Sequence, residues 1–341
     1  MRRIKSLLII LNLLLLQSCL PSVELNERAI VEAIGIDKAD GKFTVSVEYY
    51  DPDSNNPENA QTSFIKGSGE SIPLAISKIN TKISKELYFG HNNIVVVGKE
   101  AATQNITDVL EYFDIDSQTK SDICVFITEN AEEIVGFDEE KAKISPLSIL
   151  EIIENSIKSG DGCEYRLFKA IGNNSEASCF ILPFGTITDK LYFEVAGSCL
   201  FKDGILIDIL DQEKTRGIGW YFGNIEDLVL DLNGFEVIVS DSETTVTPIM
   251  VKNKGFFKIN ISINLDSPLK DSPDFNQEEI KKTVAKSVEK EVKKTISSVY
   301  TKSGCDIFNF SKLVINKYPD FSKSSSLSDV AFEVSCSCYF S

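Results

Sequence analysis

Apolar residues along this chain follow three different periods. From Leu7 to Leu16 they run without a break except at Asn12. Shorter near-continuous runs at Ala29–Ile36, Ile94–Val97 and Ile123–Ile127 have the pattern of buried strands. Lys42–Tyr49 alternates with period two, so it is predicted to pair with Ala29–Ile36 as a β-hairpin turned at Asp37–Gly41. The polar stretch Asp51–Pro57 reads as a loop, and a strand at Ser63–Lys66 follows. Helical spacing predicts helices at Ser71–Ser84, Ala101–Tyr112 and Pro146–Ile157, the last with Ser145 as N-cap and a proline in its first turn. Asp-Gly between apolar runs predicts a second hairpin, Glu194–Phe201 with Ile205–Leu210, after which Asp211 caps a short helix through Thr215.

The last third reads as long strands near Phe235–Val239, Thr245–Lys252 and Gly255–Leu265, then a helix. Ile280, Val284, Val288, Val292, Ile296 and Val299 recur at four-, four-, four-, four- and three-residue steps, which places them in one stripe. The opposite face carries Lys281, Lys282, Lys286, Lys290, Lys293 and Lys294 against Glu278, Glu279, Glu289 and Glu291, with Glu278/Lys282 and Glu289/Lys293 as i,i+4 pairs. That face is either a solvated surface or a dock for an acidic partner or lipid head groups. Ser303-Gly304 stops the helix, and Val330–Tyr339 closes the sheet. Strands and helices alternate irregularly, which predicts an α+β fold with three domains: 19–135, 136–228 and 229–341, behind a signal peptide at 1–18.

The first apolar run has its own logic. Arg2, Arg3 and Lys5 precede it, as in a secretory signal, and its ten residues of helix reach roughly 15 Å, about half a bilayer core. It ends at Leu16-Gln17-Ser18-Cys19, which resembles a bacterial lipobox; Gln17 departs from the small residue usual there. Acylation of Cys19 would anchor the chain, since two or three buried acyl chains hold where one is marginal. The alternative is an ordinary cleaved signal with an incidental cysteine.

Charge removes several function classes. Taking Arg2, Arg3 and Lys5 from the 35 basic residues leaves 32 against 51 acidic, a formal charge of −19 for the chain after residue 18. Such a chain repels phosphate backbones, so nucleic acid is not an expected partner. Seven cysteines follow Cys19 at no recurring spacing, and an odd number cannot all pair internally. This points to a compartment that is not strongly oxidising, or to an anaerobic owner. Cys336 and Cys338 share one face of a strand, too far apart for an unstrained disulfide, and read as small core residues.

A single histidine, His91, removes most histidine-based triads and multi-histidine zinc sites; placed before a buried strand, it reads as structural. Gly67-Ser-Gly69 lacks the third glycine and the lysine of nucleotide-binding loops and reads as a loop before a helix. No C-x-x-C pair or Asp-rich calcium loop is present. No cofactor, no metal site and no catalytic residue is expected; the one covalent group would be the lipid on Cys19.

Several stretches together resemble the C-subunit (Ger(x)C-type) family of bacterial spore germinant receptors. They are Leu25-Asn-Glu-Arg-Ala-Ile-Val-Glu-Ala-Ile-Gly-Ile-Asp37, Gly67-Ser-Gly-Glu70, Leu87-Tyr-Phe-Gly-His91 with Val95-Val-Val-Gly98, Gly197-Ser-Cys-Leu-Phe-Lys-Asp-Gly204, Glu213-Lys-Thr-Arg-Gly217, and Cys305-Asp-Ile-Phe308 with Lys317-Tyr-Pro-Asp320. The family pattern tends to show a glycine where Asn309 or Ser311 stands and a tryptophan near Phe321. The resemblance implies three α+β domains of mixed sheets with packed helices. It also implies a lipoprotein on the outer face of the spore inner membrane that assembles with A and B membrane subunits, so that nutrient binding triggers germination, without catalysis of its own. Asp306, Lys317, Tyr318 and Pro319 become the candidate partner surface. A solute-binding lipoprotein of a transporter and a lipid-anchored hydrolase are the alternative classes.

Overall fold

The computed structural model describes residues 28–51, 62–136, 145–189, 192–232, 236–251, 254–266, 276–319 and 330–340. The first hairpin forms as the alternation requires: β1 (Arg28–Ala39) pairs antiparallel with β2 (Lys42–Tyr50). Its turn is tighter than expected, because Asp40 and Gly41 both take positive φ (49° and 75°) and join the strands in two residues. β3 (Thr62–Gly69) adds to β2. Gly67 and Gly69 are therefore strand residues, which corrects the loop expected there. A Cβ at Gly67 would lie 2.4 Å from the Ala75 carbonyl oxygen, and one at Gly69 would lie 2.7 Å from the Ala75 nitrogen. These glycines let helix α1 (Ile72–Asn80), capped by Ser71, press directly on the strand.

On the other side of β1, the parallel strands β5 (Ile94–Gly98) and β6 (Cys124–Thr128) extend the sheet, and β4 (Glu86–Tyr88) pairs with the beginning of β1. The helix expected at Ala101–Tyr112 is two, α2 (Lys99–Asn105) and α3 (Thr107–Ile115). The cause is tertiary: the Ile106 N–H donates to the Gly204 carbonyl at the tip of the second hairpin (2.8 Å) instead of within a continuous helix. Helix α4 (Ala131–Val135) ends this part of the chain, and helices α5 (Pro146–Lys158) and α6 (Leu167–Ala177) lead into β7 (Cys179–Thr188).

β7 pairs with β8 (Tyr192–Lys202), which turns at Asp203-Gly204 into β9 (Ile205–Leu210). Because β7 also joins β6 through Ile127 and Phe184, strands from both of the first two expected regions lie in one nine-stranded sheet. The boundary placed at residue 135 thus separates stretches of chain that share a sheet. Its order is β3-β2-β1-β5-β6-β7-β8-β9, with β4 beside β1.

Asp211 caps its helix as expected, but α7 runs from Gln212 to Phe222, well past Thr215. The second sheet has the order β10-β11-β12-β13, built from Leu228–Asp231, Glu236–Val251, Lys254–Asp266 and Val330–Phe340. The two strands expected near 235–239 and 245–252 are one long strand with an irregularity between Val239 and Asp241. The long helix α8 spans Gln277–Ile296 with Asn276 as its cap; a wider helical turn, Ser297–Lys302, carries the chain to Gly304. Helix α9 (Phe310–Lys317), not foreseen, precedes β13, which runs parallel to β12. The architecture is α+β with mixed sheets, as the alternation predicted.

Candidate functional site

The candidate surface lies on the chain that follows the long helix. Phe308 and Phe310 are buried among Tyr221, Phe257 and Tyr300, and the Tyr221 hydroxyl donates to the Phe308 carbonyl (2.8 Å). This aromatic cluster fixes the turn. Asp306 then accepts from the backbone N–H groups of Phe310 and Ser311, both at 2.8 Å, and so caps α9. Asn309 sits at φ 58°, ψ 29°, a left-handed conformation. Asparagine is among the few residues other than glycine that tolerate it.

At the far end of α9, Lys317 donates to the Pro248 carbonyl of β11 (3.0 Å) and lies 5.8 Å from the centre of the Tyr318 ring. Tyr318 is half-buried and Pro319 exposed. An eight-residue helix is about 12 Å long, so the four candidate residues do not form one patch. Lys317, Tyr318 and Pro319 share one end, and Asp306 stands at the other.

Asp306 belongs instead to a cleft of about 320 Å³ lined by the start of β7, by helices and by the turn before α9. Its walls include Glu164 and Lys169, Cys179 and Phe180 at the start of β7, Ile218 and Phe222 on α7, and the turn with Asp306 and Asn309. Burial pushes the Glu164 carboxyl up, but a two-point hydrogen bond from Arg166 (2.7 Å to each oxygen) outweighs it and holds the group below the usual range. On the inner wall, Cys179 and Cys305 are buried in one hydrophobic cluster, and the Cys305 thiol donates to the Phe201 carbonyl (3.9 Å). Sequence reading gave neither thiol a chemical role; they lie far apart in sequence and at no motif spacing, so nothing in the sequence signalled their meeting.

Charge lines the seam between α7 and α8. Arg216 reaches Glu291 (2.9 Å) and Asp161 (3.7 Å), while Lys294 bonds Glu213 (2.8 Å). Glu291, assigned to the outer face of the long helix, is thus buried against α7. Burial pushes its carboxyl up to about 7, partly offset by Arg216. The Glu213–Gly217 stretch is therefore a helix contact: a Cβ at Gly217 would lie 2.1 Å from the Thr295 hydroxyl oxygen. Lys293 pairs with Glu289 at i,i+4 as expected, whereas Glu278 takes Lys281 instead of Lys282.

The other family-like stretches also resolve into packing. Asp37 accepts from the N–H groups of Ala131 and Glu132 (2.9 Å each), capping α4, and a Cβ at Gly98 would collide with its carboxylate. His91 is exposed, and its ring meets Tyr88 edge-on at 5.9 Å. Among the described residues no group of three or more His, Cys, Asp or Glu side chains is placed to hold a metal ion, and no helix is long and apolar enough to cross a membrane. Cys19 and the apolar run before it lie outside the described residues, as do Asp320 and Phe321.

Comparison with known proteins adds the following. Residues 21–187 match the family described as "Spore germination protein N-terminal domain", and residues 196–337 match "Spore germination B3/ GerAC like, C-terminal". The curated "Spore germination protein KC" of Bacillus subtilis (strain 168) is 21% identical over 358 residues, covering 92% of this chain and 88% of that protein. The solved structure titled "Crystal Structure of the GerBC protein" superposes with a TM-score of 0.60 at 16% identity, over 90% of this chain and 96% of the other.

Proposed function

This chain belongs to the GerAC-like family of spore germination proteins, and on that premise we propose that it is the lipid-anchored C subunit of a nutrient germinant receptor. The observation that carries the reading is the pair of family matches, which together span residues 21–187 and 196–337 in the family's order. The subunit acts by assembly, beside the A and B membrane subunits on the outer face of the spore inner membrane, and not by catalysis. A lipid on Cys19 gives this a physical basis: confinement at the membrane raises the effective concentration of partners without demanding strong intrinsic affinity. The end of α9, with Lys317, Tyr318 and Pro319, offers a partner an exposed edge already held to the second sheet.

A solute-binding lipoprotein would close two like lobes around its ligand. Here the two sheets differ in size and order, nine strands against four, and the cleft is walled by β7, helices and a turn, which favours the assembly reading.

The test is dipicolinate release from purified spores of a deletion strain, with nutrients and with a trigger that bypasses nutrient receptors. Loss of the nutrient response alone, restored by the intact gene and poorly by Cys19→Ala, supports the proposal. A normal response to every nutrient, or full rescue by Cys19→Ala, overturns the receptor role or the anchor respectively.

A further inference from the structure

Cys179 is the first residue of β7, and Cys305 lies in the turn after the long helix, so they belong to different sheets' surroundings. Two contacts and a shared core fix their approach. The Cys305 sulfur lies 3.9 Å from the carbonyl oxygen of Phe201, and Phe201 is the register partner of Phe180, next to Cys179. Lys202, the register partner of Cys179, donates to the Ser303 carbonyl (3.4 Å). Both thiols are buried in one hydrophobic cluster, and Cys179 shares the lining of the cleft with Asp306, the residue after Cys305.

Access differs between them. Cys179 lines the cleft of about 320 Å³, whereas Cys305 is fully buried behind it. Cys336 and Cys338 are also neighbours, but as i and i+2 on one strand they are too far apart for an unstrained bridge.

We propose that Cys179 and Cys305 are a disulfide-forming pair, oxidised through the cleft by a small molecular disulfide, and that the bridge staples the first sheet to the turn that leads into α9. The Cys179 thiolate attacks one sulfur of the disulfide RSSR, giving a mixed disulfide at Cys179 and releasing RS⁻, which takes the Cys179 proton. The Cys305 sulfur then attacks Cys179, forming the Cys179–Cys305 bond and expelling a second RS⁻, which takes the Cys305 proton. Two electrons pass to RSSR and two RSH leave. Cys179 suits the attacking role: the hydrogen bond from Cys305, the Asp306 N–H and the nearby Lys202 cation favour its thiolate and lower its pKa despite burial.

The full-length chain, reduced and held in detergent, is treated with bis(2-hydroxyethyl) disulfide under native conditions, alkylated, digested and mapped by mass spectrometry. The expected result is a Cys179–Cys305 cross-linked peptide and a fall of two in the number of alkylatable thiols. Cys305→Ser should stop at a single mixed disulfide on Cys179, and Cys179→Ser should leave Cys305 unmodified. The wild-type map needs no variant to fold. The proposal is overturned if no thiol of the folded chain is lost, if the bridge or adduct forms at another cysteine, if wild type stalls at the Cys179 adduct, or if the bridge forms only in urea.

Discussion

The two sheets of this molecule use the same residue types under different rules. The central strands of the first are buried on both faces. Along β5, Val95 and Val97 enter one core while Ile94 and Val96 enter the other; in the neighbouring β6, Val125 and Ile127 divide from Cys124 and Phe126 in the same way. The second sheet is covered on one face. In β12, Phe257, Ile259, Ile261, Ile263 and Leu265 face the long helix, while Lys258, Asn260, Ser262 and Asn264 between them are exposed. Parallel strands with helices on both sides must be apolar throughout, whereas a sheet with one wet face can alternate. The lesson is that a strand's period records how many layers cover it.

The comparison breaks most visibly if a residue from a doubly covered strand is truncated. Phe126 is fully buried, with the Phe193 ring edge-on at 5.3 Å. Phe126→Ala should cost about 3–5 kcal/mol through lost burial and the cavity left behind. Ser262→Ala, on the open face of β12, should stay within about 0.5 kcal/mol. Urea unfolding of both variants checks this; similar losses would mean that the open face of the second sheet is covered in solution.

The layers are legible in the sequence because period and burial are coupled: Lys42–Tyr49, Ile94–Val97 and the stripe from Ile280 to Val299 all appear where their patterns place them. What escaped reading depends on distant partners. The break at Ile106 answers to the hairpin tip at Gly204, and the strand character of Gly67-Ser-Gly69 answers to the closeness of α1. Likewise Glu291 looked solvated because six lysines share its helix, yet Arg216 of α7 draws it inward. Of the candidate surface, sequence located the segment but not its division into two ends of a short helix, since α9 offers only eight residues of pattern.

A buried carboxylate between helices sharpens the contrast further, because the seam of the second layer carries pH dependence. Glu291 faces Arg216, with Glu213 and Lys294 nearby, and its carboxyl sits at about 7 in the folded chain against 4.5 ordinarily. The fold therefore holds a proton that the unfolded chain releases between these values, so the contribution is full below about pH 4.5 and is lost as pH rises toward 7. The loss amounts to about 3 kcal/mol at most. Urea midpoints at pH 5 and 7.5 should show it as the difference between wild type and Glu291→Gln, which cancels the shared titration of other carboxylates such as Asp37 and Asp161, also raised by burial. A variant that keeps the wild-type slope would place the titrating group elsewhere.

The smallest expected effect concerns the turn where both layers meet. Asp306→Ala removes a carboxylate that accepts two backbone N–H groups at the start of α9, and loss of such a cap costs about 1 kcal/mol. The helix should survive, because Phe310 and Val314 remain buried and Lys317 still holds the Pro248 carbonyl at its other end. A second readout separates the cap from a wider role. Burial, and then the Asp306 charge, push the Tyr300 hydroxyl up to about 12, so removing the charge should lower that value while burial keeps it above the ordinary 10. A stability loss of about 1 kcal/mol in urea with a lowered tyrosinate titration fits a local cap beside an aromatic cluster. A loss beyond about 3 kcal/mol would instead make Asp306 the point on which the second layer's packing against the first depends, since no single cap is worth that much.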